Sequence, residues 1–219
     1  MSTPTSTRFP ASMSVGDAVG IYLRYPSPRF LLGAFVIALT ARLVVGDWSW
    51  WDLVAAVGLI AYQPFNEWLI HTFILHFKPR EIAGRRIDPL LAREHRRHHN
   101  DPKNIANVFI PMKSLWVGVP IASALALLIV PSLGVALTML LTMAIIGNVY
   151  EWTHFYVHSG CKPRHRYARY IERAHRLHHY RNEQYWMGVT NHLADHVLGT
   201  FPDKDAVPVS RTAKTLGVS

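Results

Sequence analysis

Residues 115–158 read LWVGVPIASALALLIVPSLGVALTMLLTMAIIGNVYEWTHFYVH. Glu151 is the only Asp, Glu, Lys or Arg in this stretch. Pro131-Ser132-Leu133-Gly134 interrupts it with the residues of a tight turn. A helix needs about 20 apolar residues to cross a bilayer. The arm after the turn has that length. The arm before it reaches it only by taking in residues upstream of Leu115. The stretch therefore reads as two membrane spans, 113–130 and 134–157, joined by a hairpin. The last of these spans ends in histidines.

Working outward, two more apolar runs precede it, at 30–46 and 53–77. The expected fold is all-α and integral to a membrane, with four transmembrane helices. Segments 78–112 and 159–203 are polar by comparison and form a helical cap. Residues 1–29 are a polar N-terminal tail without the pattern of a cleaved signal peptide, and 204–219 a C-terminal tail. Asp88-Pro89 supplies an N-cap and first-turn proline for a cap helix over 89–100. The run after Pro163, RHRYARYIERAHRLHH, contains no breaker and reads as a second cap helix.

The chain of 219 residues carries a formal charge of +9. Nine Lys and Arg lie from Lys78 to Lys113, around the start of span three, ten more follow Gly160, and the 131–134 hairpin has none. By the positive-inside rule, both termini and the cap are cytoplasmic. This predicts a multi-pass membrane protein, placed by its compactness in a bacterial inner membrane ahead of the endoplasmic reticulum. Arg85, Arg86, Arg96 and Arg97 are candidates to hold anionic phospholipid. No nucleic-acid-binding motif accompanies the charge, so nucleic acid is not an expected partner. The single cysteine, Cys161, excludes an internal disulfide framework.

Ten of the thirteen histidines form four clusters. His71 and His76 are followed by His95, His98 and His99. His154 and His158 are followed by His175, His178 and His179. The pattern HX4H…HX2HH, HX3H…HX2HH thus occurs as two matched halves. On a helix, positions i, i+3 and i+4 share a face, so each HX2HH set should converge. His71 and His76 stand five apart, about 140° around an α-helix, and suit two metals or a bend. Structural zinc sites are four-coordinate and usually rich in cysteine. This set has no cysteine and too many imidazoles for one ion, which points to a pair of redox metals, two iron ions with zinc able to substitute. Glu67 and Glu151 lie one turn deeper than the histidines, where they could fix imidazole tautomers. Asp195, His192 and His196 are further candidates for such support. His165, in a basic stretch, reads as a surface residue. Trp68, Trp152, Tyr185 and Trp186 are candidates to line a lipid groove.

These motifs, on a four-span chain, resemble the fatty acid hydroxylase/sterol desaturase superfamily, and most closely its fatty acid 2-hydroxylases. NEWLIHTFILH (66–76), EHRRHHNDPKNIANVFIP (94–111) and HRLHHYRNEQYWMGVTNHLADHVLGTF (175–201) carry the resemblance. It implies an oxidoreductase in which a di-iron centre, held by the ten histidines, uses O2 and two electrons to hydroxylate or desaturate a lipid drawn from the bilayer. No cytochrome b5 segment is seen, so electrons from NAD(P)H are expected through a separate cytochrome b5 or ferredoxin partner. A fatty acyl or sphingolipid acyl chain is the expected substrate. The alternatives are a carotenoid, sterol or aminolipid hydroxylase or desaturase, and a non-catalytic zinc-binding membrane protein.

Overall fold

Four helices are long and apolar enough to cross a membrane: Pro26–Val45, Trp50–Leu75, Ile105–Ile129 and Leu133–His158. They match the four expected spans, and the chain is an integral membrane protein. The computed structural model describes residues 8–218, so the first seven residues of the expected N-terminal tail lie outside the described part.

The helices begin where their sequence allows. Helix α1 is Val15–Tyr22. Helix α2, Pro26–Val45, carries prolines in its first turn and stops at Gly46, whose φ of 65° ends the helical path. Helix α3 is Trp50–Leu69. At its end the backbone widens into a π-helical turn, Ile70–Leu75, and the His76 N–H donates to the His71 carbonyl at 3.1 Å. A short hairpin follows, with β1 (Arg80–Ile82) antiparallel to β2 (Arg85–Ile87). Helix α4, Leu90–Asn100, is capped by Pro89 and not by Asp88 as expected; Asp88 instead accepts from Arg96 at 2.5 Å. Helices α5 (Met112–Ile129) and α6 (Leu133–His158) flank the hairpin turn, where Ser132 accepts the N–H groups of Val135 and Ala136. Helix α7, Arg166–Tyr180, is the second cap helix, and α8 is Leu193–Val197.

The chain divides into two compact units. One comprises residues 20–63 and 110–152. Its burial is inverted relative to a soluble domain. Leu128 and Ile37 are 83% and 71% exposed, whereas Arg42 is 0% exposed, with Asp52, Thr138 and Glu151 also buried. That is the pattern expected of helices whose solvent is lipid. Arg42 donates to Asp52 at 2.9 Å, to Thr138 at 2.8 Å and to the Gly46 carbonyl. Helices α2 and α5 pack through Phe30 and Trp116.

The other unit comprises, among the described residues, 8–19, 64–109 and 153–218. It contains the π turn, α4, α7, α8 and the whole C-terminal segment. Trp186 is its anchor, buried against Ala174 and Val207, with Leu177, Tyr185 and Phe201 around them. The segment set apart as a tail is built in: Val207, Ala213 and Leu216 are buried.

Candidate metal centre

All ten clustered histidines lie in this second unit, and they sort into two groups of five. The first group is His71, His76, His95, His99 and His178. The second is His98, His154, His158, His175 and His179. Within each group the ring nitrogens lie within 4.8 Å of one another.

The sorting differs from the expected one. The HX2HH triplets do not converge on one point. On α4, His95 and His99 turn to the first group and His98 to the second. On α7, His175 and His179 turn to the second and His178 to the first. Each half of the sequence thus keeps four imidazoles and lends one. Of the two readings for His71 and His76, two metals or a bend, the first does not hold and the second does. The 140° separation assumed an α-helix, but the π turn bonds residue i to i+5. His71 and His76 are therefore neighbours, packed edge to face with ring centroids 4.8 Å apart.

The nitrogens converge closely. In the first group Nε2 atoms face each other at 3.1 Å (His71–His95), 3.1 Å (His95–His99) and 3.2 Å (His99–His178). In the second the distances are 3.1 Å (His98–His154), 3.1 Å (His98–His179), 3.0 Å (His175–His179) and 2.8 Å (His158–His175). At a metal–nitrogen distance of roughly 2.1 Å, neighbouring ligands are about 3.0 Å apart at right angles and about 3.4 Å apart in a tetrahedron. The facing pairs, at 2.8–3.2 Å, are close enough to share one ion of that size.

The pairs cannot all be hydrogen bonds. His99 Nδ1 donates to the Ala213 carbonyl at 2.8 Å, and His178 Nδ1 donates to the Tyr185 carbonyl at 2.8 Å. A carbonyl only accepts, so each neutral ring carries its proton on Nδ1 and a bare lone pair on Nε2. Two such lone pairs face each other at 3.2 Å. A cation between them removes the repulsion, so these residues fit a metal. Burial pushes the imidazoles of His99 and His178 down to about 3, and holds those of His76, His95, His98, His175 and His179 well below the usual value with help from their neighbours. At neutral pH these rings are uncharged, the form that ligates.

Backbone carbonyls, not the expected carboxylates, fix the tautomers. His71 Nδ1 donates to Met187 at 2.5 Å and His154 Nδ1 to Val108 at 2.9 Å, beside the two pairs above. Glu67 and Asp195 act one step further out. Asp195 accepts the N–H groups of Met187 (2.9 Å) and Gly188 (2.7 Å). Glu67 accepts those of Val189 and Thr190, and the Thr190 hydroxyl at 2.6 Å. Four successive amides are thus gripped by two buried carboxylates, and the Met187 carbonyl is aimed at His71. Asp195 also accepts from His192 at 2.9 Å and Thr200 at 2.6 Å; burial pushes its carboxyl up, but these bonds outweigh that and hold it below the usual carboxylate range. Glu151 accepts from Ser27 and from the Ile110 N–H at 3.1 Å. His192 is buried beside Asp195, and exposed His196 pairs with the Tyr170 hydroxyl at 2.9 Å, so neither belongs to a histidine group. His165 is exposed, as expected.

Other expected contacts are redistributed. Trp186 is core, with a φ of 56° that lets the carbonyls of Tyr185 and Met187 on either side reach histidines of the first group. Trp68 donates to Thr200 at 2.9 Å, and Trp152 packs edge-on against Tyr22. Arg96 is bonded to Asp88 and Arg97 to Glu94, while Arg85 and Arg86 are exposed on the hairpin. The carbonyls of Val108, Tyr185, Met187 and Ala213 leave no trace in a sequence; the one readable signal was the five-residue step from His71 to His76.

The profile of the family described as fatty acid hydroxylase matches residues 55–200. The chain is 30% identical over 152 residues to dihydroceramide fatty acyl 2-hydroxylase FAH2 of Arabidopsis thaliana, covering 68% of this chain and 61% of that protein. It is 28% identical over 155 residues to FAH1 of the same plant, covering 70% and 62%. It is 27% identical over 143 residues to the fatty acid 2-hydroxylase of Rattus norvegicus, covering 65% and 38%. The match therefore spans less than two thirds of the length of these relatives. The fold is similar to a solved structure of full-length scs7p in which only the hydroxylase domain is visible, with a TM-score of 0.64 and 20% identity over 92% of this chain and 71% of that one.

Proposed function

Because the chain belongs to the fatty acid hydroxylase family, we propose that it hydroxylates a fatty acyl chain of a membrane lipid, at carbon 2, with two iron ions held by the ten histidines. The relatives named as 2-hydroxylases of fatty acids and of dihydroceramide acyl chains support the substrate class and the position. The observation that carries the metal reading is the pair of bare Nε2 lone pairs of His99 and His178 at 3.2 Å.

The overall change is C–H plus O2, two electrons and two protons giving C–OH and water. Bound iron supplies the reduction of O2 and the oxidation of an unactivated C–H bond. The protein's own residues supply the setting. Neutral imidazoles offer their lone pairs without having to lose a proton. The carbonyls of Met187, Ala213, Tyr185 and Val108 keep four of those lone pairs pointed inward. Burial of the ligands keeps bulk water from the reacting groups. Five all-nitrogen ligands in each group, with no cysteine, would suit a redox iron better than structural zinc. The electrons come from a separate donor protein of the cytochrome b5 or ferredoxin type. The site faces the cytoplasm, in accord with the positive charge of the segments that carry it.

The test is expression in a host without such activity, followed by mass spectrometry of total lipids, beside a His98→Ala, His178→Ala double variant. That variant removes one imidazole from each group. The expected result is a lipid class that gains one oxygen, on carbon 2 by fragmentation, only with the intact protein. Loss of two hydrogens would make the reaction a desaturation. Oxygen on another carbon would overturn the assigned position.

A further inference from the structure

The two histidine groups are matched in ligands but not in what stands behind them. In the first, the Nδ1 atoms of His71, His99 and His178 donate to the carbonyls of Met187, Ala213 and Tyr185 at 2.5, 2.8 and 2.8 Å. In the second, among the described residues, His154 alone donates to a carbonyl, that of Val108 at 2.9 Å. The Nδ1 atoms of His98, His175 and His179 are buried without a hydrogen-bond partner among the described residues.

We infer that the two groups hold metal unequally: the first, with His71, His76, His95, His99 and His178, retains its ion, and the second, with His98, His154, His158, His175 and His179, exchanges it. The inference rests on the two-metal reading above and adds an order to it.

Two effects act in the same direction. A carbonyl behind Nδ1 fixes the tautomer, stops the ring from turning and makes Nε2 a better donor; loss of such a partner typically costs about 10–100-fold in metal affinity. The second effect concerns the metal-free protein. His98, His175 and His179 are free to carry their proton on Nε2, where it can be shared at 2.8–3.1 Å with His158, His179 and His98. Metal must displace those N–H···N bonds and leave a buried Nδ1–H without an acceptor. His71, His99 and His178 have no such alternative, because their protons are already committed to carbonyls. Ligand number and type are equal in the two groups, and the first has one buried ring nitrogen without a partner among the described residues (His76 Nε2) against three in the second, so this difference decides the order.

The test uses the full chain in detergent, loaded with Zn2+ alone and challenged with excess chelator, with metal per protein followed over time. The expected course is biphasic: one equivalent leaves at least about 10-fold faster than the other. His158→Ala should remove the fast phase and His95→Ala the slow one. Since either variant could fail to fold, a structure of half-depleted wild-type protein provides the second measurement. Remaining metal among His71, His95 and His99 supports the assignment. Metal left among His154, His158 and His175, or two equivalents lost at one rate, overturns it while leaving the two-metal reading intact. Protein that takes up no metal overturns both.

Discussion

Replacing Asp195 by alanine asks how far the first histidine group depends on a carboxylate that belongs to neither group. Asp195 is fully buried and accepts from four donors: the Met187 and Gly188 amides, His192 Nδ1 and the Thr200 hydroxyl. The hydroxyl can rotate to another acceptor. The two amides and the imidazole N–H cannot, and each orphaned buried donor costs about 1–3 kcal/mol. Asp195→Ala should therefore destabilise by roughly 4–6 kcal/mol after some relaxation. For a chain of this size about 2–4 °C of melting temperature goes with each kcal/mol, so the expected drop is roughly 10–20 °C. Asp195→Asn keeps one acceptor oxygen and should fall near the middle of that range. The assay is thermal unfolding of metal-free protein in detergent, which removes any contribution from bound ions. An alanine variant melting within about 3 °C of wild type would refute the reasoning, because the four bonds would then not be what holds residues 187–188.

Asp52→Ala leaves the Arg42 guanidinium buried without its carboxylate and should cost about 3–5 kcal/mol, while Arg42→Met with Asp52→Leu recovers most of the loss in the same melt. Gly188→Ala should lose hydroxylation and fold poorly, because a Cβ there meets the Asn191 carbonyl and stands 2.8 Å from His192 Nδ1; Gly199→Ala, with open space around it but a φ of 74°, should cost only about 1–2 kcal/mol by thermal unfolding. His98→Ala combined with His158→Ala should bind as much metal as His98→Ala alone, since both belong to one group, whereas His98→Ala with His178→Ala should lower metal content at both groups, measured as metal per protein.

The spans were legible because lipid demands long apolar runs. The last span, expected at 134–157, is a helix over Leu133–His158. The first was expected to start at residue 30 but starts at Pro26, since hydropathy marks apolar residues and α2 opens with Pro26, Ser27, Pro28 and Arg29. The ten histidines were legible by type and grouping. Their partition was not, because whether His98 faces its own group or the other is set by the helices packed around α4. For His71 and His76 the sequence left two readings open, two metals or a bend, because periodicity cannot show where the backbone makes a π turn; the bend is what the structure has. The β1–β2 hairpin was missed because its strands have three residues each, all exposed, and so no alternation to read. The C-terminal segment looked like a tail because the group it contributes to the centre, the Ala213 carbonyl, is one every residue possesses.

The exchange of His98 and His178 also bears on when the centre can be assembled. As the chain emerges from the ribosome, the first group has four of its imidazoles once residue 99 has been made, but not its fifth until residue 178. The second group must wait for residues 154–179 to reach back to His98. Neither group is complete until residues 178 and 179 have been made, and the Ala213 brace behind His99 comes later still. A product that stops before residue 178 therefore lacks both finished sites. Both groups receive their last imidazole within one turn of α7, so the two sites are completed together and neither precedes the other.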